Sequence, residues 1–185
     1  NKLWMKEAFR RAGVACPWFS PVRDATHLAQ LISTSDRSRF VIKPVDGRGA
    51  RGVLRLDKDS NLDWAFCESR RWGDCGEVIL EEFIPGLQIS TESFLIDGHS
   101  HTPAIAERNY EFLERFSPYI IENGGTIPAP LSADLRLRID ALIAAGAAAL
   151  GVRDGIVKGD IIIAEDGEPI IVELALRLSG GWFAT

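Results

Sequence analysis

Cysteine is scarce in this chain. Cys16, Cys67 and Cys75 are the only three, an odd number, and none stands in a CxxC spacing. That argues against a disulfide framework or a thiolate metal site and points to a reducing cytoplasm. Positive charge is short as well: 21 Lys and Arg face 26 Asp and Glu, for a net charge of -5. A general nucleic-acid binder neutralises phosphates with a basic excess, and this chain has none. No apolar run reaches membrane-spanning length and no signal peptide opens the chain, so no membrane role is expected. Repeats, low-complexity tracts and an interdomain linker are also missing. No local spacing suggests a Ser–His–Asp or Cys–His pair, and His27, His99 and His101 read as surface residues. An initiating Met is absent, and the chain stops two residues after Trp182 and Phe183. We therefore expect a piece of a longer polypeptide.

What is present is an ordinary globular composition over 185 residues, enough for one domain or two small lobes. Residues 2–12 have a helical apolar face (Leu3, Met5, Ala8, Phe9, Ala12) and stop at Gly13. Pro17 and Pro21 bracket an extended connection, and Asp24 caps a helix over 25–33. Strands are expected at 40–43 and 53–56, and a third helix near 61–71, capped by Asp59 or Ser60. Another strand, 78–84, ends at Pro85-Gly86. Asp97-Gly98 joins 88–96 to 99–106 as a hairpin. Residues 107–131 read as a long irregular loop, of a kind that is often functional. Ser132 caps a helix over 133–150, and 157–164 pairs with 169–176. Strands outnumber βαβ crossovers, so the class is α+β.

The central stretch is FVIKPVDGRGARGVLRL, Phe40 to Leu56. Gly47, Gly49 and Gly52 allow tight turns that expose backbone N–H groups, and Lys43, Arg48 and Arg51 add positive charge. GRGARG matches GxGxxG, but a strand follows where a dinucleotide fold needs a helix. No Gly-Lys-Ser/Thr closes a Walker A loop, and a kinase lysine follows its glycine loop whereas Lys43 precedes this one. A phosphate loop and a flexible surface hairpin both remain open.

The last hairpin turns at EDGE. Taking Asp166-Gly167 as a two-residue turn sets Glu165 opposite Glu168, Asp160 opposite Glu173 and Lys158 opposite Ala175, with Arg177 continuing the same face. Facing carboxylates repel across a ladder. A divalent cation would convert that repulsion into coordination, and Mg²⁺ takes one or two carboxylates together with substrate phosphates. The alternative is a solvated polar face, although Ile161–Ile163 and Ile170–Val172 make the surroundings apolar.

Together these pieces resemble the ATP-grasp superfamily over nearly the whole chain. Lys2 with its helix and AGVACP looks like that family's opening segment, FVIKPVDGRGARGV like its lysine and glycine-rich loop, VILEEFIPG like its adenine hinge, and KGDIIIAEDGEPIIVELALRLSGG like its metal-binding end. The resemblance implies two α+β lobes with ATP held between them, expected here as residues 1–76 and 77–185. It implies that Lys2 and Lys43 contact the phosphates, and that Gly47, Arg48, Gly49, Ala50, Arg51 and Gly52 form a lid over them. In the hinge of Glu81, Glu82, Phe83 and Ile84, the Glu81 side chain would meet the adenine amino group. The backbones of Glu82 and Ile84 would read the adenine edge. Gln88 stands where many relatives place a ribose-binding glutamate, and Arg108 where they place nucleotide or substrate contacts. Asp160 and Glu173 would hold Mg²⁺, or Mn²⁺ in its place. Ala175 replaces a common asparagine ligand, which leaves the number of metal ions open, and Glu92 reads as structural or supporting.

The implied activity is ATP-dependent ligation. A carboxylate is phosphorylated and the acyl phosphate is then attacked by an amine, with Lys43 and Arg177 neutralising the phosphoryl charge. Its partners would be small carboxylic acids and amines, with room for a homo-oligomer. The same residues are compatible with a carboxylase or carbamoyl-phosphate-type enzyme, and with a nucleotide-binding module without turnover, suggested by Gln88 and Ala175. Trp182 and Phe183 would pack the end of the domain or shape the acceptor pocket.

Overall fold

The computed structural model describes residues 1–180, so Trp182 and Phe183 lie outside the described residues. Thirteen elements follow one another: α1 (Lys2–Ala12), β1 (Phe19–Val22), α2 (Ala25–Ser33), β2 (Phe40–Pro44), β3 (Leu54–Leu56), α3 (Leu62–Arg70), β4 (Val78–Glu82), β5 (Gly86–Ile96), β6 (His99–Asn109), β7 (Gly124–Thr126), α4 (Ala133–Ala149), β8 (Gly155–Ala164) and β9 (Pro169–Ala175). They form two compact units. The first contains Asn1–Leu3, Pro17–Ile84 and Tyr110–Glu122, and the second contains Trp4–Cys16, Pro85–Asn109 and the chain from Asn123 onward. This differs from a division at 76/77. β4 pairs with both β1 and β2 and so belongs to the first sheet, while Met5 and Phe9 of α1 pack in the core of the second.

The first unit is an antiparallel sheet in the order β1-β4-β2-β3. Side chains alternate along a strand, so Phe40, Ile42, Val78 and Leu80 share one face. They pack there against Leu28 of α2 and Ala65 and Phe66 of α3. Lys43 and Glu81 consequently lie on the face turned away from these helices. β1 runs through Pro21, where the sequence suggested only a connection. It is an edge strand, the place in a sheet where a missing N–H is tolerated. The cap of α3 is Asn61, not Asp59 or Ser60. The Ser60 hydroxyl donates to Asp57 Oδ1 at 3.0 Å, and the Asp59 N–H donates to the same oxygen at 3.0 Å. Asn61 Oδ1 is left to accept the Trp64 N–H at 3.0 Å.

Residues 107–131 are less irregular than expected. β6 runs on to Asn109, and β7 pairs with it. Between them, 110–122 is fastened in the first unit. The Arg55 N–H donates to the Pro118 carbonyl at 2.7 Å, and the Arg55 guanidinium grips Glu114 with both nitrogens at 2.5 and 2.6 Å. The hydrogen bonds to Glu114 raise the Arg55 pKa, and those from Arg55 lower that of Glu114.

The second unit is an antiparallel sheet in the order β7-β6-β5-β8-β9. Ile89, Ile105, Val157, Ile161, Ile171 and Leu174 face Met5 and Phe9 of α1 and Ile139, Ile143 and Ala147 of α4. Gly146 lets α4 come close, because a Cβ there would sit 2.8 Å from Leu174 and 2.9 Å from Ile171. The even-numbered residues of β5 and β8 face the other way. The Asp97-Gly98 hairpin is as expected, with both residues at positive φ, 50° and 81°.

At the EDGE tip the structure corrects the turn. The Ala164 N–H donates to the Glu168 carbonyl at 3.0 Å and the Gly167 N–H to the Ala164 carbonyl at 2.8 Å, with Gly167 at φ 85°. Three residues therefore form the loop, and Ile161, Ile162 and Ile163 pair with Ile171, Ile170 and Pro169. A bulge at Val172 then restores the expected register, with Asp160 opposite Glu173 and Lys158 opposite Ala175. β9 ends at Ala175, so strand alternation does not carry Arg177 onto this face. The Arg177 N–H instead turns back to the Ala175 carbonyl at 2.9 Å.

Asn61→Ala should lower the unfolding free energy by about 1 kcal/mol in urea titrations, the worth of an N-cap. Ser60→Ala should cost about 0.5 kcal/mol or less. Both Asp46 and Glu114 have carboxyl pKa values held below the ordinary range. Their contribution to stability is present above that range and disappears as pH falls through the lowered values. Urea unfolding of wild type against Glu114→Gln at descending pH should therefore converge only in strong acid.

Candidate active site

The glycine loop leaves β2 and returns in β3. Gly49, Ala50 and Gly52 take positive φ of 63°, 56° and 70°, which bends the backbone tightly enough to close on itself. The Arg51 N–H reaches the Arg48 carbonyl at 3.4 Å and the Val53 N–H the Ala50 carbonyl at 3.1 Å. The loop rests on the end of α3. A Cβ on Gly52 would meet the Ser69 carbonyl and Trp72 at 3.0 Å, and the Arg51 guanidinium lies 5.5 Å from the Trp72 ring centre. Lys2 is anchored to the loop's start, with Nζ donating to the Gly47 carbonyl at 2.8 Å and its N–H to the Val45 carbonyl at 2.8 Å. A recess of about 290 Å³ opens beside the loop, lined by Asp46, Arg48, Arg51, Arg71 and Asp74 among others.

Asp46 closes the loop's base by accepting the Cys75 N–H at 2.9 Å. Burial pushes its carboxyl up, but hydrogen bonds from the Cys75 backbone and thiol prevail and hold it below the ordinary range. The Cys75 thiol moves the other way. A hydrogen bond involving the Glu77 backbone draws it down, yet burial and the carboxylates of Asp46 and Glu77 raise it overall.

Lys43 and Glu81 are brought together by register. Val41 pairs with Glu81 and Lys43 with Ile79, so the two charged side chains are diagonal neighbours on one face. Their ion pair spans 2.8 Å with 6% and 2% of the side chains exposed, and the contact is ionic rather than a well-directed hydrogen bond. In the hinge, the Glu82 N–H donates to the Trp18 carbonyl at 2.9 Å and the Phe83 N–H to the Arg39 carbonyl at 3.0 Å. The Glu82 carboxylate is held by Arg37 Nε at 3.0 Å, and Arg37 lies 5.0 Å over the Trp18 ring.

In the second unit Gln88, Ser90, Glu92, Lys158, Asp160 and Glu173 sit on the sheet face turned away from α1 and α4. Ser90 pairs with Asp160, Glu92 with Lys158, Gln88 with Ile162, and Asp160 with Glu173. Lys158 contacts Asp160 Oδ2. Arg108 donates to Ser90 Oγ at 3.2 Å and stands 3.4 Å from Asp160 Oδ1, a buried oxygen without a full hydrogen bond. The repulsion expected between Asp160 and Glu173 is therefore met by side-chain cations. The Arg177 guanidinium donates to the Leu178 carbonyl at 2.8 Å. Lys158 and Ser90 received no role in the sequence reading. Lys158 could have been found from its place two residues before Asp160, since i and i+2 share a strand face.

The donor set fits Mg²⁺ of a particular kind. Among the described residues no group of three or more His, Cys, Asp or Glu is arranged to hold a metal. Asp160 and Glu173 face each other and could offer two hard oxygen ligands, whereas Ala175 has none to offer. That suits an ion completed by phosphate oxygens and water rather than by a protein cage.

The curated D-alanine--D-alanine ligase of Parabacteroides distasonis is 29% identical over 135 residues, 72% of this chain and 40% of that protein. The solved L-amino acid ligase from Bacillus licheniformis is 26% identical with a TM-score of 0.77, over 97% of this chain and 41% of that one. An N5-carboxyaminoimidazole ribonucleotide synthetase, solved as an ADP complex, shares the fold with a TM-score of 0.73 at 22% identity, over 97% of this chain and 45% of that one. The chain thus spans about two-fifths of the length of the relatives it matches. A family model described as an ATP-grasp domain matches residues 1–181, and the chain belongs to that family.

Proposed function

We propose that this chain is the nucleotide- and metal-binding part of an ATP-dependent carboxylate–amine ligase. The observation that carries the reading is the Asp160–Glu173 pair, set in register beside Lys158 and Arg108 in a chain of the ATP-grasp family. The names of its relatives, which are ligases and a synthetase, support the reaction class. The three free thiols and the lack of a described helix able to cross a membrane accord with work in the cytoplasm.

In this reading the substrate carboxylate attacks the γ-phosphate of ATP, the β–γ bond breaks, and ADP leaves. The amine then attacks the acyl carbon, loses a proton and expels inorganic phosphate. Such chemistry asks for positioning and charge neutralisation more than for a protein nucleophile. Mg²⁺, when bound, supplies neutralisation of phosphate charge, held by Asp160 and Glu173. Lys43 and Lys2 bind phosphate oxygens, and the 47–52 loop covers them. Glu81 holds Lys43 in place and accepts from the adenine amino group. The Glu82 N–H is already committed to Trp18, so Glu82 contributes its carbonyl to the adenine edge, while Ile84 contributes its N–H. Gln88 donates or accepts at the ribose hydroxyls. Arg177 and Arg108 meet charge developing on the transferred phosphoryl group. Small carboxylic acids and amines are the partners.

Glu173→Gln should abolish metal-dependent ATP binding in calorimetric titrations, and normal Mg-ATP binding would refute the metal assignment. Lys43→Met should destabilise the fold by about 3–5 kcal/mol, because it strands a buried carboxylate. Adding Glu81→Met should restore most of that stability without restoring ATP affinity. If the double variant bound ATP normally, the pair would be structural only. Single-turnover assays with panels of acids and amines decide the reaction class. ADP and phosphate released only with both substrates supports ligation, and tight ATP binding without turnover marks a non-catalytic module.

A further inference from the structure

Glu92 and Lys158 stand directly opposite each other across β5 and β8. Side chains so placed have Cβ atoms about 4.5–5.5 Å apart, within easy reach of a lysine. Both residues are more than nine-tenths buried, at 6% and 8% exposed. Yet Lys158 reaches along its own strand to Asp160 Oδ2. Glu92 Oε1 accepts the Ser179 N–H at 2.7 Å, while Oε2 is buried with no hydrogen-bond partner. A carboxylate oxygen removed from water without a donor is costly, and a native structure that keeps one calls for a reason. A flexible point charge with three donors lies beside it, engaged elsewhere.

We propose that Lys158 is a two-position residue, holding Asp160 Oδ2 as seen here and moving to Glu92 Oε2 when a divalent cation takes Asp160. The inference rests on reading Asp160 as a metal ligand. A cation arriving there competes with the Lys158 ammonium for the same oxygen. Without Glu92 the displaced ammonium would be stranded in a buried position, and the cation would bind against that penalty. With Glu92 the buried charge exchanges one carboxylate for another. Glu92 is thus a positioning residue that sets metal affinity without touching the metal. Its other oxygen holds Ser179, two residues after Arg177, so the carboxylate receiving the lysine also steadies the segment that carries that arginine.

The test is Mn²⁺ affinity, read by electron paramagnetic resonance and calorimetry in the presence of a non-hydrolysable ATP analogue. Wild type, Glu92→Gln, Lys158→Met and the double variant are compared. Glu92→Gln should weaken Mn²⁺ binding about tenfold, the scale of one charge-assisted hydrogen bond. In the Lys158→Met background the same substitution should have much less effect. Equal effects in both backgrounds would mean simple charge loss and would overturn the proposal. A structure of the unaltered protein with Mn²⁺ and the analogue decides independently of any variant's folding. Lys158 Nζ on Glu92 Oε2 supports the proposal, and Lys158 Nζ still on Asp160 overturns it. If wild type binds no Mn²⁺ at all, the metal reading itself fails and this proposal fails with it.

Discussion

A charge taken out of water must find a partner or cost the fold several kcal/mol, and both sheets here are arranged around that constraint. In each sheet one face is given to aliphatic packing against helices. The other face then receives the charged side chains, and every second residue of a strand necessarily joins it. Lys43 meets Glu81 on the first sheet, and Lys158 and Arg108 meet Asp160 on the second. These pairs are poor devices for stability alone, since apolar replacements of similar volume often serve as well. Under the proposed function their worth would lie in what they hold ready: a lysine on the strand that leads into the glycine loop, and hard oxygens for a divalent ion.

Much of this could be read from sequence because the elements carry local signals. Asp24 and Ser132 announce their helices, and Gly13 ends one. Asp97-Gly98 makes its hairpin at the positive φ values those residues tolerate. The glycine loop was visible as spacing, and the order of four motifs identified the family later matched over residues 1–181.

What could not be read depended on competition or on distant pairing. Asn61 caps α3 because Asp57 has already taken Ser60, and propensity alone does not rank neighbours competing for the same role. Pro21 disguised an edge strand, since only the sheet order shows that its missing N–H faces no partner strand. Arg55 and Glu114 are far apart in sequence, and nothing local predicts their pairing. The Lys43–Glu81 contact follows from register, which a sequence does not state. At the last hairpin a two-residue turn predicts the right acidic pair although the loop has three residues. The apolar run Ile170–Val172 has no alternation to betray a bulge, and the bulge cancelled the error.

That cancellation bears on how such a hairpin can change over time. The bulge at Val172 works as a phase reset between the tip and the acidic rung. Near the tip the strands count in one parity, and beyond the bulge they count in the other. Ile171 and Leu174 can therefore both point into the core although three positions separate them, while Glu173 keeps its place opposite Asp160. A loss of one residue at the tip could be absorbed by smoothing the bulge, and the carboxylates would never change partners. The outer end of the hairpin is free to drift in length and composition because the inner end keeps its own count.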